Sequence, residues 1–184
     1  MVLAQVTAIL EDQGIRYVLV GSLASSMHGM FRSTADIDIL ADIQQNQVIQ
    51  LFGALKNSFY VEEHAISDAV DRRGSFNAIH FESVFKVDIF LPKTDGFDLK
   101  ELERRELRRM TTESDRIIRV ATAEDTILAK LKWFRAGEEP SDNQWSDVLG
   151  IIAACGTLDH SYLYDWAAKL NVMDLLTKAV EEAG

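Results

Sequence analysis

The sequence predicts an α+β fold: a mixed sheet flanked by helices, followed by a C-terminal helical annex. Three observations point there. Apolar runs of strand length, at 15–20, 36–40, 76–81 and 84–91, are separated by glycine, proline and polar segments. Helical spacing of apolar residues recurs between some of these runs. Beyond residue 121 only helical spacing remains, so the expected division is a sheet domain over 1–121 and a helical region over 122–184 packed on it.

Taken in order, Val2, Val6, Ile9 and Leu10 mark an amphipathic helix over Val2–Asp12, which Gly14 ends. Ile15–Val20 is apolar on both faces apart from Arg16, as suits a central strand covered on both sides. Gly21 lets the backbone turn, and Ser22 is the expected N-cap of a helix over Leu23–His28. Free amides at that helix start, with the Ser22 hydroxyl, would suit a triphosphate. Next come a strand at Asp36–Leu40, a helix near Gln44–Leu55, a strand at Phe59–Glu62 and a short polar segment at Ser67–Arg73. Phe76–Phe81 and Val84–Leu91 read as a hairpin closed by Pro92. Asp95–Met110 is charged and partly helical, and Arg116–Val120 reads as a further edge strand.

In the C-terminal third, Thr122-Ala123-Glu124-Asp125 has the form of a capping box ahead of Ile127, Leu128, Leu131 and Phe134. After the polar break at 137–143, Trp145, Val148, Ile152 and Cys155 share one helical face. Two more helices are expected, over Leu158–Leu170 and Val172–Val180.

The chemistry sits on two of the strands. Side chains alternate across a strand, so Asp36 and Asp38 share one face while Ile37 and Ile39 point to the core. Two adjacent carboxylates repel unless a positive charge lies between them, and hard Mg²⁺ prefers carboxylate oxygens together with substrate phosphates. In the later strand Phe85, Val87, Ile89 and Leu91 form the apolar face, leaving Asp88 on the other face with Lys86 and Phe90. Asp42 reads as an N-cap or a surface charge.

Composition narrows the function classes. At 184 residues, 47% hydrophobic and 26% charged, the chain has the make-up of an ordinary globular protein. A net charge of −10 argues against coating nucleic acid by bulk electrostatics. Arg104, Arg105, Arg108 and Arg109 crowd one segment, read either as a solvated helix face paired with Glu101, Glu103 and Glu106 or as a substrate-docking patch. No apolar run approaches membrane-spanning length, and acids rather than bases mark the N-terminal stretch, so a cytoplasmic protein is expected. The lone Cys155 reads as a small core residue. His28, His64, His80 and His160 show no zinc-ligand spacing, although His28 could line a cleft.

Gly21-Ser22, thirteen further residues, Asp36-Ile37-Asp38 and the later Val87-Asp88-Ile89 together resemble the signature of the DNA polymerase beta-type nucleotidyltransferase superfamily. The stretch TAEDTILAKLKWF with the following WSDVLGII resembles the C-terminal element of AbiEii-type toxin nucleotidyltransferases and related bacterial proteins. This resemblance implies transfer of NMP from an NTP to a hydroxyl acceptor, with RNA, protein or a small molecule as the acceptor. It also implies two Mg²⁺ ions on Asp36, Asp38 and Asp88, with Asp88 as general base. Gly21 and Ser22 would hold phosphates, and Arg32 and Thr34 match an R-x-T-x-D-x-D pattern entering the acid strand, with an exposed loop arginine as the plainer reading. Lys130 and Asp147 match positions of the nucleotide or base site. There, however, Ser146 replaces a basic residue and Gly150 a second aspartate, so a structural lysine and a solvated aspartate remain the alternative. The resemblance extends to toxins of toxin–antitoxin pairs, which makes an antitoxin a further expected partner, and to antibiotic-modifying enzymes. The contrasting class is a catalytically inactive nucleotide- or partner-binding module.

Overall fold

A computed structural model describes residues 2–29, 36–94, 96–111, 114–137 and 142–184. In chain order the first elements are α1 (Val2–Asp12), β1 (Arg16–Val20), α2 (Gly21–Met27), β2 (Asp36–Asp42), a single 3₁₀ turn (Gln45–Gln47) and α3 (Val48–Leu55). Next come β3 (Phe59–Tyr60), α4 (Glu63–Arg72), β4 (Ser75–His80), β5 (Lys86–Phe90), α5 (Phe97–Arg104), β6 (Glu106–Thr111) and β7 (Ser114–Val120). The chain ends with α6 (Ala123–Ala136), α7 (Asp142–Ala154), α8 (His160–Lys169) and α9 (Met173–Ala183). These elements form two compact units, one of Met1–Val20 with Thr34–Val120 and the other of Gly21–Ser33 with Ala121–Gly184.

The first unit is built on a seven-stranded mixed sheet in the order β3-β4-β5-β2-β1-β7-β6. β1 runs antiparallel to β2 and parallel to β7, while β2 and β5 are parallel. The alternation expected from sequence is what buries one face: Tyr17, Leu19, Ile39, Ala41, Val87 and Ile89 are fully enclosed. α1 packs on α3 and α3 on α4, and their apolar stripes, among them Val6, Leu10, Leu51, Leu55 and Ile66, are equally dry. On the opposite face Val18 and Leu40 are also buried, and α5 packs against β1 and β2 through a helix whose Phe97 and Leu102 are enclosed. β1 is thus covered on both faces, which accounts for its nearly unbroken apolar sequence.

Three local expectations need correction. The polar segment at Ser67–Arg73 lies largely within α4, where Ile66 and Ala69 form a buried stripe that the surrounding charges mask in sequence. Arg108 and Arg109 belong not to a helix but to β6, an outermost strand, and the 116–120 run lies in β7, which is not an edge strand but sits between β1 and β6. An edge strand tolerates such charge because it hinders pairing with foreign strands. Ser22 is not an N-cap: α2 starts one residue earlier, at Gly21, whose φ of +66° a residue with a Cβ would adopt only under strain.

One polar network ties the first unit together. The Tyr17 hydroxyl donates to Glu11 Oε1 at 2.8 Å, and Arg116 and Arg119 donate to the two oxygens of the same carboxylate. Burial, then the hydrogen bond to Glu11 and its charge, push the Tyr17 phenol above its ordinary range, against an opposing pull from Arg119.

In the second unit Thr122 caps α6, its hydroxyl accepting from the Asp125 amide at 3.1 Å, as the capping sequence predicts. The buried Asp125 carboxylate accepts from Thr122 at 2.9 Å and from the Tyr162 hydroxyl at 2.5 Å, which binds α6 to α8.

Replacing Ile39 by Ala should cost about 2–5 kcal/mol, whereas Ile49→Ala, at a position 74% exposed, should stay within about 0.5 kcal/mol. Urea denaturation of both variants checks this. A phenol whose native pKa is raised contributes stability that is complete below about pH 10 and is lost as pH climbs through the native value. Tyr17→Phe should therefore show a shallower alkaline fall in urea midpoint than the parent between about pH 8 and 11.5; equal slopes would refute the assignment.

Candidate functional site: an acidic sheet face holding a lysine

The acids converge because β2 and β5 pair in register. Asp38 stands opposite Asp88 and Asp36 opposite Lys86, on strands separated by about 4.8 Å. Partners in register point to the same side, so all four side chains share one face, the one opposite Ile37, Ile39, Val87 and Ile89. β4 extends the row, with Asn77 opposite Asp88 and Ile79 opposite Lys86. β1 closes it on the other side with Val20 opposite Asp38. Three carboxylates, one ammonium and one amide are therefore gathered on three adjacent strands of a single unit.

Lys86 stands amid the charges. Its Nζ lies 2.8 Å from Asp88 Oδ2 and 4.0 Å from Asp36 Oδ1. The hydrogen bond to Asp88 pushes the lysine above its ordinary range; partial burial works the other way, and the charges of Asp88, Asp36 and Asp38 add to the upward push. Sequence reading places Lys86 on this face but assigns it no role. The missing signal is the strand register, which alone sets it opposite Asp36.

The donor set fits a hard divalent cation: three carboxylates, all oxygen, on one partly exposed face. As the side chains stand, no group of three or more carboxylate, imidazole or thiol side chains among the described residues could hold a metal ion. The charge that does lie within hydrogen-bonding reach of Asp88 is the Lys86 ammonium.

The remaining candidates separate clearly. Asp42 is not an N-cap; it accepts from Arg16 Nη2 at 2.6 Å and from Gln44 Nε2 at 2.9 Å, at the far end of β2 from Asp36. Arg32 and Thr34 lie outside the described residues. In the second unit Gly21 and Ser22 form the first turn of the seven-residue α2, whose Ser25 and Ser26 hydroxyls donate back to the Gly21 and Ser22 carbonyls. His28 lines no open surface: it is buried, with Nε2 2.7 Å from the Ala121 carbonyl oxygen. Cys155 is only half-buried, its thiol 3.8 Å from the His28 carbonyl oxygen.

Lys130 and Asp147 do meet, as an ion pair of 2.8 Å joining α6 to α7, with side chains only 5% and 2% exposed. The ammonium also donates to Gln144 Oε1 at 3.2 Å. In this conformation the pair is closed to solvent, which favours a structural role for it. An enclosed ion pair is stabilised only while both members are present.

No protein-family model matches this sequence, and no curated protein sequence does. Solved structures do match in fold. An antigenic nucleotidyltransferase-like protein from Paracoccidioides brasiliensis superposes with a TM-score of 0.66 at 15% identity, over 99% of this chain and 89% of its own. The antibiotic-resistance factor ANT(2'')-Ia matches with a TM-score of 0.55 at 11% identity, over 98% and 91%. The lincosamide antibiotic adenylyltransferase LnuA, in its lincomycin-bound form, matches with 0.50 at 16% identity, over 83% and 96%. At these identities the likeness shows the fold, and the fold is that of the nucleotidyltransferases.

Lys130→Met should destabilise the protein by about 3–5 kcal/mol, and the double substitution Lys130→Met/Asp147→Leu should recover most of that loss. Chemical denaturation of the two single variants and the double variant completes the cycle; a double variant as unstable as the sum of the singles would rule out the enclosed pair.

Proposed function

We propose that this protein is a metal-dependent nucleotidyltransferase that moves an NMP from an NTP to a hydroxyl acceptor and releases pyrophosphate. One observation carries the reading: Asp36, Asp38 and Asp88 stand in register on one face of adjacent strands, in a fold shared with nucleotidyltransferase-like proteins. Such a set would hold Mg²⁺, and two ions are the expected number; bound there, the metal would neutralise phosphate charge and acidify the attacking hydroxyl. The chain's own part is to hold three anionic oxygens ready on a rigid sheet, so that little reorganisation accompanies reaction. Asp88, two residues from the Lys86 side chain that grips it, is the base for the acceptor proton. Gly21, Ser22, Arg32 and Thr34 enter the reading as phosphate contacts, by sequence pattern. Lys130 and Asp147 enter it as the brace between α6 and α7, because the two side chains face each other and are closed to solvent.

For the acceptor, the lincosamide adenylyltransferase among the matching folds supports a small hydroxyl compound ahead of RNA or protein. The second reading, a nucleotide-binding module without turnover, draws on the Lys86–Asp88 contact, which ties up the proposed base.

Incubation with each radiolabelled NTP, Mg²⁺ and separate pools of small hydroxyl compounds, RNA and protein should label one pool and release pyrophosphate. Asp36→Asn and Asp38→Asn should each lower the rate by at least about a hundredfold, as expected for loss of several kcal/mol of charge stabilisation. Nucleotide binding with no labelled pool would favour the module without turnover. Labelling that survives both substitutions would exclude the metal mechanism.

A further inference from the structure

We propose that Lys86 is a built-in counter-cation that holds Asp88 in the metal-free protein, yields it when a divalent cation arrives, and thereby sets how tightly the acidic face binds that cation. The inference rests on the metal-dependent reading above and assigns a positioning role within it. Three features of the side chain support it.

The first is position. Nζ is 2.8 Å from Asp88 Oδ2 and 4.0 Å from Asp36 Oδ1, so the ammonium occupies ground from which a metal would draw its ligands. An ammonium has three donors and no acceptor, so it cannot itself ligate a metal. It can only compete, by taking an Asp88 lone pair and by repelling a second positive charge nearby. The second is charge. Three carboxylates on one face of two strands repel one another, and the ammonium offsets part of that repulsion at Asp88 and Asp36. With it, the metal-free face has a cation of its own. The third is freedom to leave. Lys86 is 41% exposed, and a four-carbon stem lets its head swing to water without moving the strand.

The two states have opposite requirements. The metal-free protein is stabilised by the ammonium, and the metal-bound protein is weakened by it. Removing the charge should therefore shift stability in one direction and metal affinity in the other. A lysine that served the fold alone would lower stability by the same amount in both states.

Mn²⁺ is the probe, titrated into the full chain by calorimetry and followed by loss of its free electron-spin signal, with melting temperature recorded at zero and saturating Mn²⁺. Lys86→Met should bind Mn²⁺ about three- to tenfold more tightly than the parent, as the removal of one partly solvated charge predicts. It should also melt lower without Mn²⁺, and the gap should close when Mn²⁺ is saturating. Lys86→Arg keeps the charge and should bind as weakly as the parent. Asp36→Asn/Asp38→Asn should abolish binding, which marks the site being titrated. Equal or weaker Mn²⁺ binding by Lys86→Met, or a melting loss that is the same with and without Mn²⁺, overturns the role of Lys86 while leaving the metal site standing. Failure of the parent and Lys86→Met alike to bind Mn²⁺ overturns both.

Discussion

The parallel pairing of β2 with β5 governs this molecule, because one register settles two opposed demands. On one side it stacks Ile37 against Val87 and Ile39 against Ile89, all nearly or fully enclosed. On the other it brings Asp38 beside Asp88 and Asp36 beside Lys86. A slip of one residue would turn the apolar set outward and the acids inward. Enclosing four aliphatic side chains stabilises the fold by about 1.5–3 kcal/mol each. Repulsion among partly solvated carboxylates is weaker than that sum and is further reduced by the lysine. Burial on one face therefore dictates where the charges meet on the other, and the acidic cluster is held in place by residues that never touch it.

Polar groups elsewhere are treated differently. Glu11 gathers Tyr17, Arg116 and Arg119, Asp125 gathers Thr122 and Tyr162, and Lys130 is closed in with Asp147 and Gln144. Each of these carboxylates meets a donor from a second element and ties the two together. On the β2–β5 face, among the described residues, three carboxylates share one side of the sheet with the Lys86 ammonium. Carboxylates gathered on a partly exposed surface suit an incoming cation, whereas an enclosed pair such as Lys130–Asp147 suits packing.

How far the sequence discloses this depends on how local the cause is. Alternation is local, so the faces of β2 and β5, the three acids and the α6 cap at Thr122 could all be read from neighbouring residues. α4 escaped notice because five of its ten residues are charged or histidine and hide a stripe of two buried ones, Ile66 and Ala69. β6 escaped because its arginines resemble a helix surface, and only its place at the sheet edge explains them. Lys86 and the Lys130–Asp147 pair depend on contacts between separate elements. For Lys86 the sequence yields the face but not the neighbour across the strand gap. For Lys130 it yields a match read through resemblance as a nucleotide contact, whereas 17 positions along the chain an aspartate meets it inside the protein.

Charge on the acidic face also bears on how many cations it can take. Among the described residues the β2–β5 row carries three carboxyl groups and one amino group, formally minus two, which one divalent cation would cancel. A second divalent ion would make the face positive unless an anion came with it, and a triphosphate is such an anion. Two ions are therefore consistent with this face only when the nucleotide is bound, or when the ammonium has swung far enough away to leave the acids to the metals. Either route couples occupancy of the second position to a change elsewhere on the same surface. A face of three acids alone would have no such coupling, because its charge would favour a second cation before any nucleotide arrived. On the metal-dependent reading proposed above, the ammonium would make the capacity of this set depend on what else is bound.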